Sequence, residues 1–178
     1  MRALAVRRVR DLRGALTTMP GWRTWRTCAL VYLAFLVCAA PLGLAAGLLR
    51  PGVADLRPAQ FVTTGVLIFL QPALVEELVF RGLLLPRDTK SMPGNRVVLV
   101  AGIALVVYVA SHPLSAWLFR PQVFALFSSP AYLTLATLLG LTCTVTYFIS
   151  RSIWPPVVVH WLSVVTWIWL LGGQARLC

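Results

Sequence analysis

The chain has 178 residues, 59% of them hydrophobic and only 12% charged, about half the charged share of an ordinary soluble domain. That deficit excludes a soluble enzyme and points to an integral membrane protein. The net charge of +11 does not indicate a nucleic-acid binder, because the Lys and Arg residues lie ahead of and between apolar runs, where they act as topology signals.

Residues 1–27 are basic, hold seven of the sixteen Lys and Arg residues, and contain Asp11 as their one acid. Ala5, Val9, Leu12 and Leu16 recur at helical spacing, so an amphipathic surface helix fits. The plainer reading is a cytoplasmic N-terminal tail that sets orientation. The transmembrane domain is expected over residues 28–178. Its first span, residues 28–49, is too long for the apolar core of a signal peptide, and the tail lacks the Ser enrichment of a transit peptide.

The second span, residues 61–85, carries Glu76, Glu77 and Arg81 within six residues. One charge at bilayer depth costs roughly 2.5–3.5 kcal/mol on insertion scales, so three need an explanation. Gln71-Pro72 precedes them, and Pro72 predicts a kink. The third span starts at Val97 and carries His112-Pro113, where the helix is expected to bend or end. A Phe-rich stretch follows Arg120-Pro121. The fourth span covers residues 130–150, and the fifth, residues 152–172, contains His160. The fold class is therefore an all-α, polytopic helical membrane bundle of about five spans, or six with a broken or half-span.

Topology follows from the basic residues. Seven in the tail, three between residues 86 and 96, and Arg151 place eleven on the side of the N-terminus. Arg50, Arg57, Arg120 and Arg176 place four on the other. The N-terminus is expected in the cytoplasm and the C-terminus outside. The host membrane is read as the cell inner or plasma membrane, with a thylakoid or organellar membrane as the alternative.

Glu77 and Arg81 are i and i+4, the favoured order for a helical ion pair. Glu76 points about 100° away and is left free, a carboxylate able to act as a general base. His112 and His160, the two histidines of the chain, also lie in apolar runs and are expected to face the bundle interior with it. Three mechanisms suit such a set: a Glu and a His activating water for peptide hydrolysis, a zinc site drawn from Glu76, Glu77, His112 and His160, and a proton or ion relay in a carrier. A metal-ligand spacing such as H-E-x-x-H is absent. The four cysteines form no C-x-x-C pair and read as small buried hydrophobes.

The order Glu76-Glu77-x-x-x-Arg81, then Tyr108-x-x-x-His112, then His160 in a later span resembles the CPBP family of CAAX-protease and bacteriocin-processing (Abi) membrane proteins. The resemblance covers roughly residues 61–172, the catalytic-like core, and leaves the tail and first span largely out. It implies a glutamic-type, metal-independent intramembrane endopeptidase that needs no cofactor, with zinc chemistry as the alternative. It also implies that Glu76 is the general base, that His112 helps it hold the water, that Glu77 and Arg81 order the site, and that His160 stabilises the oxyanion. Characterised eukaryotic members cleave prenylated CAAX tails; bacterial members are linked to bacteriocin maturation and immunity. The implied partners are the lipid bilayer and a membrane-associated peptide or protein, with no nucleic acid.

Two positions depart from the family pattern. Tyr108 stands where Phe is usual. Val164 stands where an Asn would give a second oxyanion donor; losing one such donor costs about 100- to 1,000-fold in rate. Ser163 is the candidate substitute. A non-catalytic assembly or immunity factor, or a proton-coupled carrier, is the alternative function that Val164 favours. At about 1.5 Å per residue, Glu76 and His160 match in depth, whereas a straight third helix sets His112 about 10 Å further out.

Overall fold

The computed structural model describes residues 2–177, with side chains from Arg8 onward, so Ala5 of the amphipathic pattern and Cys178 lie outside the described side chains. The described residues are helical, with no strand among them. The helices are α1 (Arg2–Thr17), α2 (Trp22–Ala45), α3 (Pro58–Leu83), α4 (Gly94–Phe119), α5 (Phe124–Phe127), α6 (Pro130–Ser150), α7 (Trp154–Leu170) and α8 (Gln174–Leu177). Four of them, α2, α3, α4 and α6, are long and apolar enough to cross a membrane. The apolar helix α7 is shorter, at 17 residues, which at about 1.5 Å each is near the lower limit for a span. Leu30, Val37, Val62, Val66, Val98 and Val106 are exposed on the outer faces, as lipid-facing positions of a membrane bundle should be. The chain is a multi-pass integral membrane protein.

The expected kink in the second span is present and sharper than a bend. Gln71 leaves helical geometry altogether (φ −141°, ψ 114°), and Pro72 has no N–H to continue the ladder. Past the break, the Glu76-Glu77 turn runs into a stretch, Leu78–Leu83, whose bonds widen to the i→i+5 pattern. Such bulges recur at functional sites.

Of the bend or end expected at His112-Pro113, the end is corrected: the helix runs on to Phe119. Pro113 removes the one backbone bond to the Val109 carbonyl, and the apolar surroundings leave the backbone no better partner than the rest of the helix. The Phe-rich stretch is a tight turn (Pro121–Val123) followed by the single helical turn α5.

The first helix is docked on the bundle. Ala15 is fully buried, and Leu12 packs onto the backbone of Gly82 in α3. The last carbonyls of α1, which no intrahelical donor can reach, are taken by the start of α7: the Ile153 N–H donates to Ala15, the Trp154 indole to Leu16 and the Ser152 hydroxyl to Thr18. Arg87 closes the same end, donating to the Arg151 carbonyl and to Thr18. At the other end of the bundle, the backbone N–H groups of Arg50, Gly52 and Ala54 cap the last carbonyls of α7. There Arg120 donates to the Leu177 carbonyl and Arg176 to that of Gly47. The two chain ends therefore lie at opposite ends of the bundle.

The packed core is built from Ala15, Ala73, Leu85, Ala104, Tyr147, Ile153 and Val157, and sits toward the α1 end. Gly140 lets α6 approach α4: a Cβ there would stand 2.7 Å from Leu105 Cδ1 and 2.8 Å from the Tyr108 ring. Gly140→Ala is expected to destabilise the bundle by about 1–3 kcal/mol, the usual cost of overpacking, read as a lowered thermal midpoint in detergent.

Candidate functional site

Arg81 is 1% exposed and Glu77 is fully buried. Two charges at this depth must be paired and hydrogen-bonded to be tolerated. The i, i+4 geometry does the first part, with Arg81 Nη1 donating to Glu77 Oε1 at 3.0 Å. Nη2 donates to the Gly140 carbonyl at 2.6 Å, and the guanidinium lies 4.6 Å from the centre of the Tyr108 ring. The planar fork and the ring face together fit Arg and not Lys.

The same Glu77 oxygen accepts from His160 Nδ1 at 2.9 Å. A carboxylate can only accept, so the proton of neutral His160 resides on Nδ1 and the lone pair of Nε2 is turned outward. That Nε2 lies 4.0 Å from Glu76 Oε2. The separation is too long for a direct bond and suited to one bridging water. Glu76 Oε2 has no hydrogen-bond partner among the described residues, and Glu76 is 22% exposed where Glu77 is not exposed at all. The two neighbouring carboxylates thus differ as helical geometry requires: Glu77 faces the bundle and Glu76 faces a cavity.

That cavity has a volume of about 520 Å³, within the usual range for binding sites. Glu76, His112, His160 and Val164 all line it. His112 donates from Nδ1 to the Tyr108 carbonyl at 2.9 Å, which leaves its Nε2 free. Among the described residues it lies within 4.0 Å of neither carboxylate. Tyr108 stands nearer the level of His160, with ring centres 6.3 Å apart, and His112 sits one helical turn beyond it. α4 thus brings its histidine to the same cavity as Glu76 and His160.

Ser163 does not replace the missing amide donor. Its hydroxyl donates to the Val159 carbonyl at 2.8 Å, one turn back on its own helix, as serines in apolar helices do. The first span adds a hydroxyl to the cavity. Tyr32 of α2 lines the cavity with its hydroxyl 3.4 Å from Ser163 Oγ. Phe35, Leu36 and Ala39 line the same wall. Nothing in the apolar composition of residues 28–49 distinguishes this wall from a lipid-facing one. The only available signal was the recurrence of Tyr32, Phe35, Leu36 and Ala39 on one helix face.

The zinc alternative meets a different ligand set from the one expected. Donor atoms of Glu77, Cys143 and His160 lie within 4.8 Å of one another, all buried. Arg81 and His160 already hold Glu77 Oε1, and the guanidinium would repel an ion from 3.0 Å beyond that oxygen, whereas Glu77 Oε2 has no partner among the described residues and is the atom of this carboxylate able to serve as a ligand. Glu76 and His112 do not belong to this group. Of the cysteines, Cys28 and Cys143 are buried as expected and Cys38 is exposed.

Residues 58–166 match the family described as Rce1-like, type II CAAX prenyl endopeptidase. The match spans more than half of the chain and contains Glu76, Glu77, Arg81, His112 and His160, though not the α2 wall of the cavity, and the chain belongs to that family. Neither the curated proteins nor the solved structures contain a match.

Removing one partner of the buried pair is expected to be severe. Arg81→Ala should lower stability by about 3–5 kcal/mol, since it strands a buried carboxylate. The double variant Glu77→Gln with Arg81→Met should recover most of that loss. Unfolding in detergent micelles measures both.

Proposed function

We propose that this member of the Rce1-like family hydrolyses a peptide bond in a membrane-associated polypeptide, using a water held between Glu76 and His160. Membership carries the reaction class: the chain is a CAAX-type intramembrane endopeptidase in general kind. The observation that supports the mechanism is the 4.0 Å gap between Glu76 Oε2 and His160 Nε2 on the cavity wall.

In this reading the groups act as follows. Glu77, itself held by Arg81, keeps the proton of His160 on Nδ1. A water then donates one hydrogen bond to Glu76 and the other to His160 Nε2. Glu76 takes a proton as the water oxygen bonds to the substrate carbonyl carbon. The C–N bond breaks when Glu76 returns that proton to the leaving amine, and a carboxylic acid, which keeps the second proton of the water, and an amine are left. His112 lines the same cavity, and once its Nε2 has taken a second proton from the medium it donates to the oxyanion. The two histidines thus exchange the roles that the resemblance implies: His160 holds the water and His112 faces the carbonyl. No metal or other cofactor is required. A transmembrane domain spanning residues 28–178, with a catalytic core over about residues 61–172 and the basic segment 1–27 docked on it, describes the chain in these terms.

A second reading, a non-catalytic membrane factor or a proton-coupled carrier on the same scaffold, is favoured by one observation. Val164 lines the cavity while Ser163 commits its proton to Val159, so the donors for an oxyanion are few.

The two readings separate in an assay of purified protein with membrane-peptide substrates in liposomes. Glu76→Gln is expected to lower kcat by about 100- to 10,000-fold with an unchanged thermal midpoint. His160→Ala should lower kcat as well, with a lowered thermal midpoint because Glu77 loses a buried bond, and a chelator should leave the wild-type rate intact. Cleavage undiminished in Glu76→Gln would remove the proposal. Flux driven by a pH gradient, without cleavage, would favour the carrier. Val164→Asn is expected to raise kcat toward the 100-fold worth of an oxyanion donor, with KM little changed.

A further inference from the structure

The serines on the cavity wall have no proton to spare. Ser111, Ser115 and Ser163 each donate to a carbonyl of their own helix. Tyr32 of α2, which lines the same cavity, differs from them. Its hydroxyl stands at the far side of a rigid ring and bonds to no backbone group of α2. Its one hydrogen-bond contact among the described residues is with Ser163 Oγ, at 3.4 Å. Ser163 has a single proton and commits it to the Val159 carbonyl at 2.8 Å, so the hydrogen in the longer contact belongs to Tyr32. A good O–H···O bond is about 2.7–2.8 Å long, and this one is well beyond that. Tyr32 therefore holds a weakly engaged proton that a stronger acceptor would capture.

The position of that proton matters. Ser163 follows His160 by three residues and precedes Val164, so the phenol from α2 reaches α7 one turn from His160. A water between Glu76 and His160 approaches the carbonyl carbon of a substrate at about 3 Å, and the carbonyl oxygen lies about 1.2 Å from that carbon. Their sum is close to the rise of about 4.5 Å that separates His160 from Ser163 along α7. The ring is also held in place. It stacks on Phe35 with centroids 5.9 Å apart and packs against Leu139, Cys143 and Val159. A donor fixed beforehand stabilises developing charge without reorganisation. From the weakly engaged proton, the reach to α7 and the fixed ring, we propose that Tyr32 is a further catalytic residue, whose hydroxyl donates to the oxyanion beside Val164, where α7 itself supplies no donor. The phenol keeps its proton throughout and acts whether or not His112 has taken a second one. Helix α2 lies outside the matched residues 58–166, so this donor comes from beyond the motif helices. The inference rests on the proteolytic reading of the cavity.

The test is a double-variant cycle on the full chain in liposomes, with the membrane-peptide substrates used for Glu76→Gln. Tyr32→Phe keeps the ring and removes the hydroxyl. It is expected to lower kcat by about 100-fold, with KM and the thermal midpoint little changed. An amide introduced by Val164→Asn would then serve the same oxyanion, so its gain in kcat should be about tenfold larger in the Tyr32→Phe background than in the wild type. A wild-type kcat in Tyr32→Phe, beside an inactive Glu76→Gln, would overturn this inference and leave the proteolytic reading standing. Equal gains from Val164→Asn in the two backgrounds, or a loss of rate matched by a lowered thermal midpoint, would make Tyr32 a packing residue and overturn it as well. Failure of the proteolytic reading shows separately, as undiminished cleavage in Glu76→Gln.

Discussion

The buried pair of Glu77 and Arg81 is the constraint on which the rest of this bundle depends. Each charge costs several kcal/mol to desolvate, and a single Coulombic contact does not offset two of them. The remainder comes from three other helices: the Gly140 carbonyl of α6, the Tyr108 ring of α4 and the His160 imidazole of α7. One ion pair on α3 thereby joins four helices, in a solvent that offers no hydrophobic drive for helices to associate. The same bonds set the chemistry. Because Glu77 must accept from Nδ1, His160 has its lone pair turned to Glu76, and a structural necessity becomes a functional orientation.

The division of the bundle follows from how its ends are closed. At the α1 end, backbone groups that would otherwise be orphaned are satisfied by contacts between α1 and the start of α7, and small and aliphatic side chains fill the space. The opposite end is closed by the loop of residues 50–54 and by two arginines donating to carbonyls. That is a rim of polar bonds and not a packed layer. A break at Gln71 in α3 lies beside the hollow half, where irregular backbone at membrane depth can be tolerated because it borders a cavity. The helix carrying Glu76 is therefore interrupted beside the hollow half of the bundle and unbroken beside the packed half.

Much of this was legible in the residues alone. The spans follow from apolar runs and the charges between them, and the Glu77–Arg81 pair from an i, i+4 spacing. The split between Glu76 and Glu77 follows from the 100° step of a helix. The break at Gln71 follows from the missing N–H of Pro72. What was not legible is tertiary. Residues 28–49 read as a featureless span, yet Tyr32 and Phe35 wall the cavity, because an apolar face looks the same whether it meets lipid or substrate. His112-Pro113 reads as a helix end, but within an apolar bundle the backbone has no alternative partner and the helix continues. Cys143 reads as filler; its place beside Glu77 and His160 depends on how α6 crosses α3 and α7, which no local pattern encodes.

The hydroxyls of the cavity show why the site leans on its histidines. Ser111 donates to the Tyr108 carbonyl at 2.7 Å, Ser115 to that of His112 at 3.0 Å and Ser163 to that of Val159 at 2.8 Å. In a low-dielectric wall each hydroxyl secures the nearest carbonyl on its own helix, because leaving its proton unbonded would cost more than the slight helix strain of back-bonding. All three serines are thereby withdrawn as donors to a developing oxyanion, and Val164 offers none. His112 is in the same state as His160: its Nδ1 proton is held by the Tyr108 carbonyl, and its Nε2 is an acceptor until a second proton reaches it. Both histidines thus present an Nε2 acceptor because Nδ1 is bound, at Glu77 for His160 and at Tyr108 for His112, a property of helix geometry that motif order alone does not reveal.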